Sequence, residues 1–150
     1  MPFKVSRKES KFRIAQLLAA GSLVCLLSQA PASLADAPGD PVAGQKTGRA
    51  CLTCHTVEKG GATRIGPTLW NVSGRPIASI PGFNYSTALK SLKGRSWNDA
   101  TLDTWLTSPA KLAPGTYMSY GGMASPSSRA DVIAWLKTLS DKSPPAVKAK

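Results

Sequence analysis

The chain has 150 residues, which is room for one domain, and carries 19 lysines and arginines against eight aspartates and glutamates. The cationic residues after position 35 are scattered and form no basic run, which argues against a nucleic-acid-binding protein. Only three cysteines and one histidine are present, and two of the cysteines share one short motif with the histidine.

The first 35 residues have the pattern of a secretory signal peptide. Five cations between Lys4 and Arg13 precede an apolar stretch over residues 14–27, and Ser33 and Ala35 suit a cleavage site. The apolar stretch is shorter than the roughly 20 residues that a membrane-spanning helix needs. We therefore expect cleavage and export to the periplasm, with an uncleaved N-terminal anchor as the alternative. The remaining chain, with 14 cationic and seven acidic residues, has a net charge of +7.

The first predicted helix starts at Asp40 and Pro41, because aspartate caps free backbone amides and proline fits the first helical position. It runs to Ala50 and delivers Cys51-Leu-Thr-Cys54-His55. Two thiols at this spacing followed by an imidazole form the attachment site of a c-type haem. Each thiol forms a thioether with one vinyl group of the porphyrin, and the histidine binds iron.

Two other kinds of site use a C-x-x-C pair. A thioredoxin-like disulfide needs a surrounding βαβ pattern, and the flanks at residues 44–50 and 57–61 do not have the pattern of strands. A structural zinc site needs four ligands, and residues 36–150 hold no further cysteine or histidine. The motif therefore predicts covalent haem, and the export signal agrees, because such haem is attached outside the cytoplasm where maturation is periplasmic.

Two further main helices are predicted over residues 99–107 and 128–139, where apolar residues are spaced to form one face. A shorter helix is possible over residues 86–92, and no stretch has a convincing strand pattern. Residues 143–150 are polar and basic and are predicted to be a disordered tail. The residues expected to be buried in the two main helices are Leu102, Trp105, Leu106, Val132, Ile133, Leu136 and Leu139.

A second iron ligand is predicted in the loop between these helices, at Pro114-Gly-Thr-Tyr-Met118. A methionine thioether is neutral and soft, and it raises the reduction potential of haem iron. The Pro-Gly turn favours Met118 over Met123, which follows five residues later. With both axial positions filled, no substrate reaches iron without displacing a ligand, and outer-sphere electron transfer is the chemistry that remains.

Together these stretches resemble the class I c-type cytochromes, in particular mitochondrial cytochrome c and its small soluble bacterial relatives. The resemblance runs over about residues 40–139, nearly all of the exported chain. It implies an all-α cytochrome c fold for residues 36–142, with three main helices and loops wrapped around one covalently bound haem c. The stretches that carry it are residues 39–44, 51–61, 65–69, 74–75, 81–86, 101–102, 106–109, 114–118 and 129–137, together with Trp97.

The resemblance also implies roles for individual residues. Cys51 and Cys54 would hold the porphyrin, while His55 and Met118 would bind the iron. The carbonyl of Pro67 would accept the other ring N–H of the histidine. Arg75, Tyr85 and Trp97 would bind the haem propionates, and Gly44 would lie where the first and last helices cross, against Trp135.

Four positions depart from the mitochondrial pattern, and at two of them, Tyr120 and Trp135, the aromatic residue is of another kind. Trp105 stands where that protein has a tyrosine near the methionine sulfur, and Tyr117 replaces the lysine before the methionine. The loss of this lysine removes one charge from the haem-edge face.

The leading hypothesis is a periplasmic, monomeric electron carrier without enzymatic activity. It would shuttle single electrons between a quinol-oxidising membrane complex and an oxidase or photosynthetic reaction centre, docking at acidic sites. The alternative is a dedicated cytochrome partner or subunit of one periplasmic dehydrogenase. A third is a haem peroxidase or gas-binding protein, which requires a labile sixth ligand.

Overall fold

The structure, a computed structural model, describes residues 38–142. The predicted signal peptide and the predicted C-terminal tail lie outside the described residues. Within residues 38–142 there is no strand, and the β-type pairing there is one isolated antiparallel bridge between Pro76 and Ser96. The expectation of an all-α architecture is confirmed. The helices are α1 (Pro41–Thr47), a 3-10 helix (Gly48–Thr53), α2 (Thr87–Lys90), α3 (Asp99–Thr107), α4 (Pro109–Leu112) and α5 (Pro126–Thr138).

Most helix starts are fixed by side-chain caps. Asp40 caps α1, accepting a hydrogen bond from the amide of Val42 at 2.8 Å. Asn98 rather than Asp99 caps α3, and Ser125 caps α5. A side-chain oxygen at each of these positions replaces a partner that the first amides of a helix lack. The longest helix, α5, has 13 residues, and no helix within residues 38–142 is long and apolar enough to cross a membrane.

Several helix boundaries differ from the prediction: α5 spans Pro126–Thr138 rather than residues 128–139, and α2 spans Thr87–Lys90 rather than residues 86–92. The first α-helix ends at Thr47, and the chain continues to Thr53 as a 3-10 helix that carries Cys51. After the predicted helix over residues 99–107 the chain was not expected to form another helix at once, but Pro109 opens α4 after one extended residue, Ser108. Proline ends one helix because it lacks an amide hydrogen, and it begins the next because its φ angle already suits the first position.

The core forms where α5 crosses α1 and packs on α3. Gly44 of α1 leaves no space for a side chain, since an added Cβ would lie 1.9 Å from the carbonyl oxygen of Asp131 and 2.9 Å from Cβ of Trp135. This close crossing agrees with the contact expected from the resemblance. Of the residues predicted to be buried, six are buried and Leu139 is half-buried: Leu102, Trp105, Leu106, Val132, Ile133 and Leu136 form the buried set.

Candidate functional site

The 3-10 helix and the turn after it present both thiols and the imidazole from one short segment. The carbonyl of Cys51 accepts hydrogen bonds from the amides of Cys54, at 3.1 Å, and His55, at 2.9 Å. Both cysteines are free and half-buried. Burial raises the pKa of the Cys51 thiol, and the neighbouring Cys54 raises it further. A reactive redox pair instead lowers its thiol pKa, so the environment does not favour a thioredoxin-like site.

The imidazole of His55 is held through one ring nitrogen. Its Nδ1 lies 2.6 Å from the carbonyl oxygen of Pro67 and donates the hydrogen bond, because a carbonyl can only accept. Burial lowers the pKa of His55, and Arg75 lowers it further, against the opposing effect of the bond to Pro67. The ring is therefore neutral at pH 7, with the lone pair of Nε2 available to a metal.

Gly66 is a feature of this site that the sequence reasoning did not single out. Its amide donates to the carbonyl of Cys54 at 2.9 Å, which brings the Gly66-Pro67 segment alongside the motif. A Cβ at Gly66 would lie only 2.3 Å from Cε1 of His55. The Gly-Pro pair was visible in the sequence, but its contact with the ring required the fold.

Met118 lies in a tight loop between α4 and α5. Its side chain is half-buried against the core, and its main chain bonds only within the loop, to Thr116 and Tyr120. Met123 is also half-buried, but its amide and carbonyl are bonded to α3 and α5. Burial raises the pKa of Tyr120, which follows Met118 in this loop, and the nearby Cys51 raises it further.

The structure brings Arg75, Tyr85 and Trp97 together. The carbonyl of Arg75 accepts a hydrogen bond from the amide of Trp97 at 3.0 Å, and the neighbouring Gly74 amide donates to the carbonyl of Trp97 at 2.9 Å. Tyr85 interacts electrostatically with the Arg75 guanidinium. The guanidinium donates to the carbonyls of Trp70, at 2.8 Å, and Thr68, at 2.9 Å.

The tyrosine and the tryptophan of this group also have protein partners. The Tyr85 hydroxyl accepts a hydrogen bond from the amide of Ile80 at 3.3 Å. The Trp97 ring packs edge-on against Trp105, with ring centroids 5.3 Å apart. Core packing thus accounts for part of what these residues do, and binding of haem propionates remains a prediction for all three.

The residues present fit a covalent haem. Two free thiols, an imidazole with Nε2 unengaged and a half-buried thioether are the donor set that a c-type haem requires. Gly66 leaves room for the imidazole ring of His55, whereas a side chain at this position would overlap the ring. No group of three or more histidine, cysteine or acidic side chains able to hold a metal ion occurs within residues 38–142.

Comparison with known proteins identifies relatives. No family model matches the chain. It is 45% identical over 102 residues to cytochrome c2 of Rhodomicrobium vannielii, covering 68% of this chain and 81% of that protein. It is 42% identical over 121 residues to a cytochrome c homolog of Rickettsia bellii, covering 75% of this chain and 69% of the relative. For the homologs of Rickettsia felis and Rickettsia conorii, the chain spans 54% of their length.

A solved structure gives the same result for the fold. Cytochrome cH from Methylobacterium extorquens superimposes with a TM-score of 0.61 at 40% identity, covering 67% of this chain and 99% of that chain. The fold is therefore the all-α cytochrome c fold, and the cofactor is one covalently bound haem c with its iron. Fold, cofactor and relatives together define a monohaem electron-transfer cytochrome, and the chain belongs to the class I c-type cytochromes.

Proposed function

We propose that this cytochrome is a periplasmic carrier that passes single electrons from a quinol-oxidising membrane complex to an oxidase or a photosynthetic reaction centre. When bound, haem c supplies a one-electron iron couple. In this proposal Cys51 and Cys54 fix the cofactor, while His55 and Met118 occupy the two axial positions. The hydrogen bond from His55 Nδ1 to the Pro67 carbonyl is the observation that carries the proposal. It fixes the orientation of the ring, which leaves Nε2 in a defined position to bind iron.

Two filled axial positions favour a carrier over an enzyme. A peroxidase or gas-binding protein needs an open or labile site on iron, which this donor set does not leave. Ferric protein at neutral pH should therefore have the weak charge-transfer band that marks methionine ligation. Its absence would contradict the assignment of Met118 and favour the enzyme alternative.

The surface around the motif supports docking at a partner that is both acidic and partly apolar. Three large apolar side chains near the ligands are exposed: Leu52 (38%), Ile65 (77%) and Tyr117 (69%). Arg64 lies among them and donates to the carbonyl of Leu52 at 3.0 Å. Cations at such a face steer an acidic partner, and the apolar groups contribute contact once the partner is in place.

Stopped-flow reduction of the holoprotein by a purified quinol-oxidising complex tests the docking proposal. The second-order rate should fall as ionic strength rises, because salt screens the steering charges. Arg64→Gln should lower the rate at low salt more than Lys142→Gln, which removes one exposed charge beyond α5. A salt-independent rate would contradict steering, and a tight, salt-resistant complex with one dehydrogenase would favour the dedicated-partner alternative.

Export is tested separately. Mass analysis of the natural protein should give a mature N-terminus near residue 36, and cell fractionation should place it in the periplasm. A protein that retains residues 1–35 and sediments with membranes would support the N-terminal anchor instead.

A further inference from the structure

Arg129 is a buried cation at the start of α5 that joins three parts of the chain. Only 9% of the residue is exposed. Its Nε donates to a carboxylate oxygen of Asp103 on α3 at 2.6 Å. Its Nη1 donates to two consecutive carbonyls at the end of the Met118 loop, Met123 at 3.0 Å and Ala124 at 2.9 Å.

Two other contacts attach the same end of the loop to α3. The amide of Met123 donates to the carbonyl of Leu106 at 2.8 Å. Gly122, with φ of +96°, approaches the carbonyl of Thr107 so closely that an added Cβ would lie 2.0 Å from its oxygen. Residues 122–124 therefore pack on α3, and the hydrogen bonds from Arg129 hold them there.

The beginning and middle of the loop make hydrogen bonds to residues two to four positions away in the chain. The amide of Ala113 bonds to Pro109 within α4, and Thr116 bonds back to Ala113. Met118 itself bonds only to neighbours two residues away. The contacts of residues 122–124 are therefore the long-range hydrogen-bonded attachment of the loop, in addition to the packing of the Met118 side chain on the core.

We propose that Arg129 and Asp103 form a clamp that positions Met118, and that opening this clamp is the event by which the methionine leaves iron. The proposal rests on the assignment of Met118 as the distal ligand. Arg129 touches neither iron nor methionine sulfur and acts as a positioning residue. Without the clamp, the carbonyls of Met123 and Ala124 lose their charged donor, so the open loop becomes more populated.

The test uses ferric holoprotein and imidazole, a small ligand that competes with the methionine. Asp103→Asn removes the negative partner and keeps the side-chain shape. Asp99→Asn is the matched control, because Asp99 lies one turn earlier on α3 and pairs with Lys137 of α5 at 2.5 Å, away from the loop. Asp103→Asn should bind imidazole about tenfold more tightly, and Asp99→Asn should bind like the unmodified protein.

Amide hydrogen exchange separates clamp opening from general loss of stability. In Asp103→Asn the Met123 amide should exchange about tenfold faster, while amides in the centre of α5, such as that of Trp135, should change less. Equal acceleration at both positions would assign Arg129 a merely structural role and overturn the proposal.

The remaining outcomes are also distinct. Unchanged imidazole affinity in Asp103→Asn would overturn the clamp while leaving the carrier function intact. Absence of the methionine charge-transfer band from the unmodified protein would overturn the assignment of Met118, and the clamp proposal with it.

Discussion

Gly66 lies against the imidazole of His55 so closely that no side chain fits between them. A Cβ at Gly66 would lie 2.6 Å from Nδ1 and 2.8 Å from Nε2 of the ring. The next residue, Pro67, accepts the Nδ1 hydrogen bond. Two consecutive residues thus restrict the ring by different means, one by contact and one by hydrogen bonding.

With His55 as the proposed iron ligand, Gly66→Ala should weaken its bond to iron, because the ring must move away from the added methyl group. A loss of orienting contacts typically lowers metal affinity by about tenfold or more. Protons compete with iron for the imidazole, so the pH midpoint of acid-induced ligand loss should rise by about one unit, as followed by the haem absorption. Gly121→Ala is the control, since nothing lies within 4 Å of a Cβ at that position. Equal midpoints for the two variants would contradict the role of Gly66.

Gly44→Ala should destabilise the crossing of α1 and α5. The new methyl group would overlap the main chain at Asp131, which cannot rotate away as a side chain could. Overpacking costs about 1–3 kcal/mol, and contact with backbone places this variant at the upper end. Denaturant unfolding of the holoprotein measures the change, with Gln45→Ala on the exposed side of α1 as the control. A loss below about 0.5 kcal/mol, the range of ordinary surface changes, would contradict the close crossing.

Sequence reasoning predicted the features that depend on neighbours in the chain. The starts of α1 and α3 follow from caps, whereas α5 begins two residues before the predicted start, and the haem motif itself spans five residues. The 3-10 turn at Gly48 and the new helix at Pro109 were missed, because local signals indicate where a helix can stop but not how the chain continues. The contact of Gly66 with His55 and the clamp between Asp103 and Arg129 depend on folding, since residues far apart in sequence meet there.

Arg75 offers a test that separates packing from electrostatics. Arg75→Lys keeps the charge but loses the planar donor pair that serves the carbonyls of Thr68 and Trp70. It should cost about 2 kcal/mol of stability, the value of charged hydrogen bonds in partly buried surroundings. If Arg75 also balances the propionates, Arg75→Gln should lower the reduction potential, because a cation nearby disfavours ferric iron, whereas Arg75→Lys should keep it. Redox titration that finds equal potentials in both variants would contradict the propionate role.

Asp141 gives the protein a small, predictable acid sensitivity. Hydrogen bonds from Lys59, at 2.5 Å, and Asn71, at 3.3 Å, hold the pKa of this carboxyl below its ordinary value of 3.8. A carboxyl with a lowered folded-state pKa stabilises the fold above its unfolded pKa, and the contribution is lost as pH falls through the folded pKa. Asp141→Asn should therefore flatten the loss of stability below about pH 4.

Urea midpoints at pH 7 and pH 3 measure the effect of Asp141→Asn. The change should be small at neutral pH and smaller at high salt, because the pair is exposed and screened. If the urea midpoint of Asp141→Asn falls between pH 7 and pH 3 as much as that of the parent protein at low salt, Asp141 does not contribute to the acid sensitivity.

Covalent haem should be required for the fold itself. The α-helices within residues 38–142 have between four and 13 residues, and isolated helices shorter than about 12–15 residues are marginal in water. Leu69, two residues after Pro67, and the proposed ligand Met118 are only partly buried by protein. Cys51→Ser combined with Cys54→Ser blocks attachment and should give a chain whose circular dichroism has no cooperative thermal transition. A native-like cooperative melt of this variant would contradict the requirement for haem. Contacts such as that of Gly44 with Trp135 would then stabilise the fold without the cofactor, because the protein core alone would outweigh the conformational entropy lost on folding.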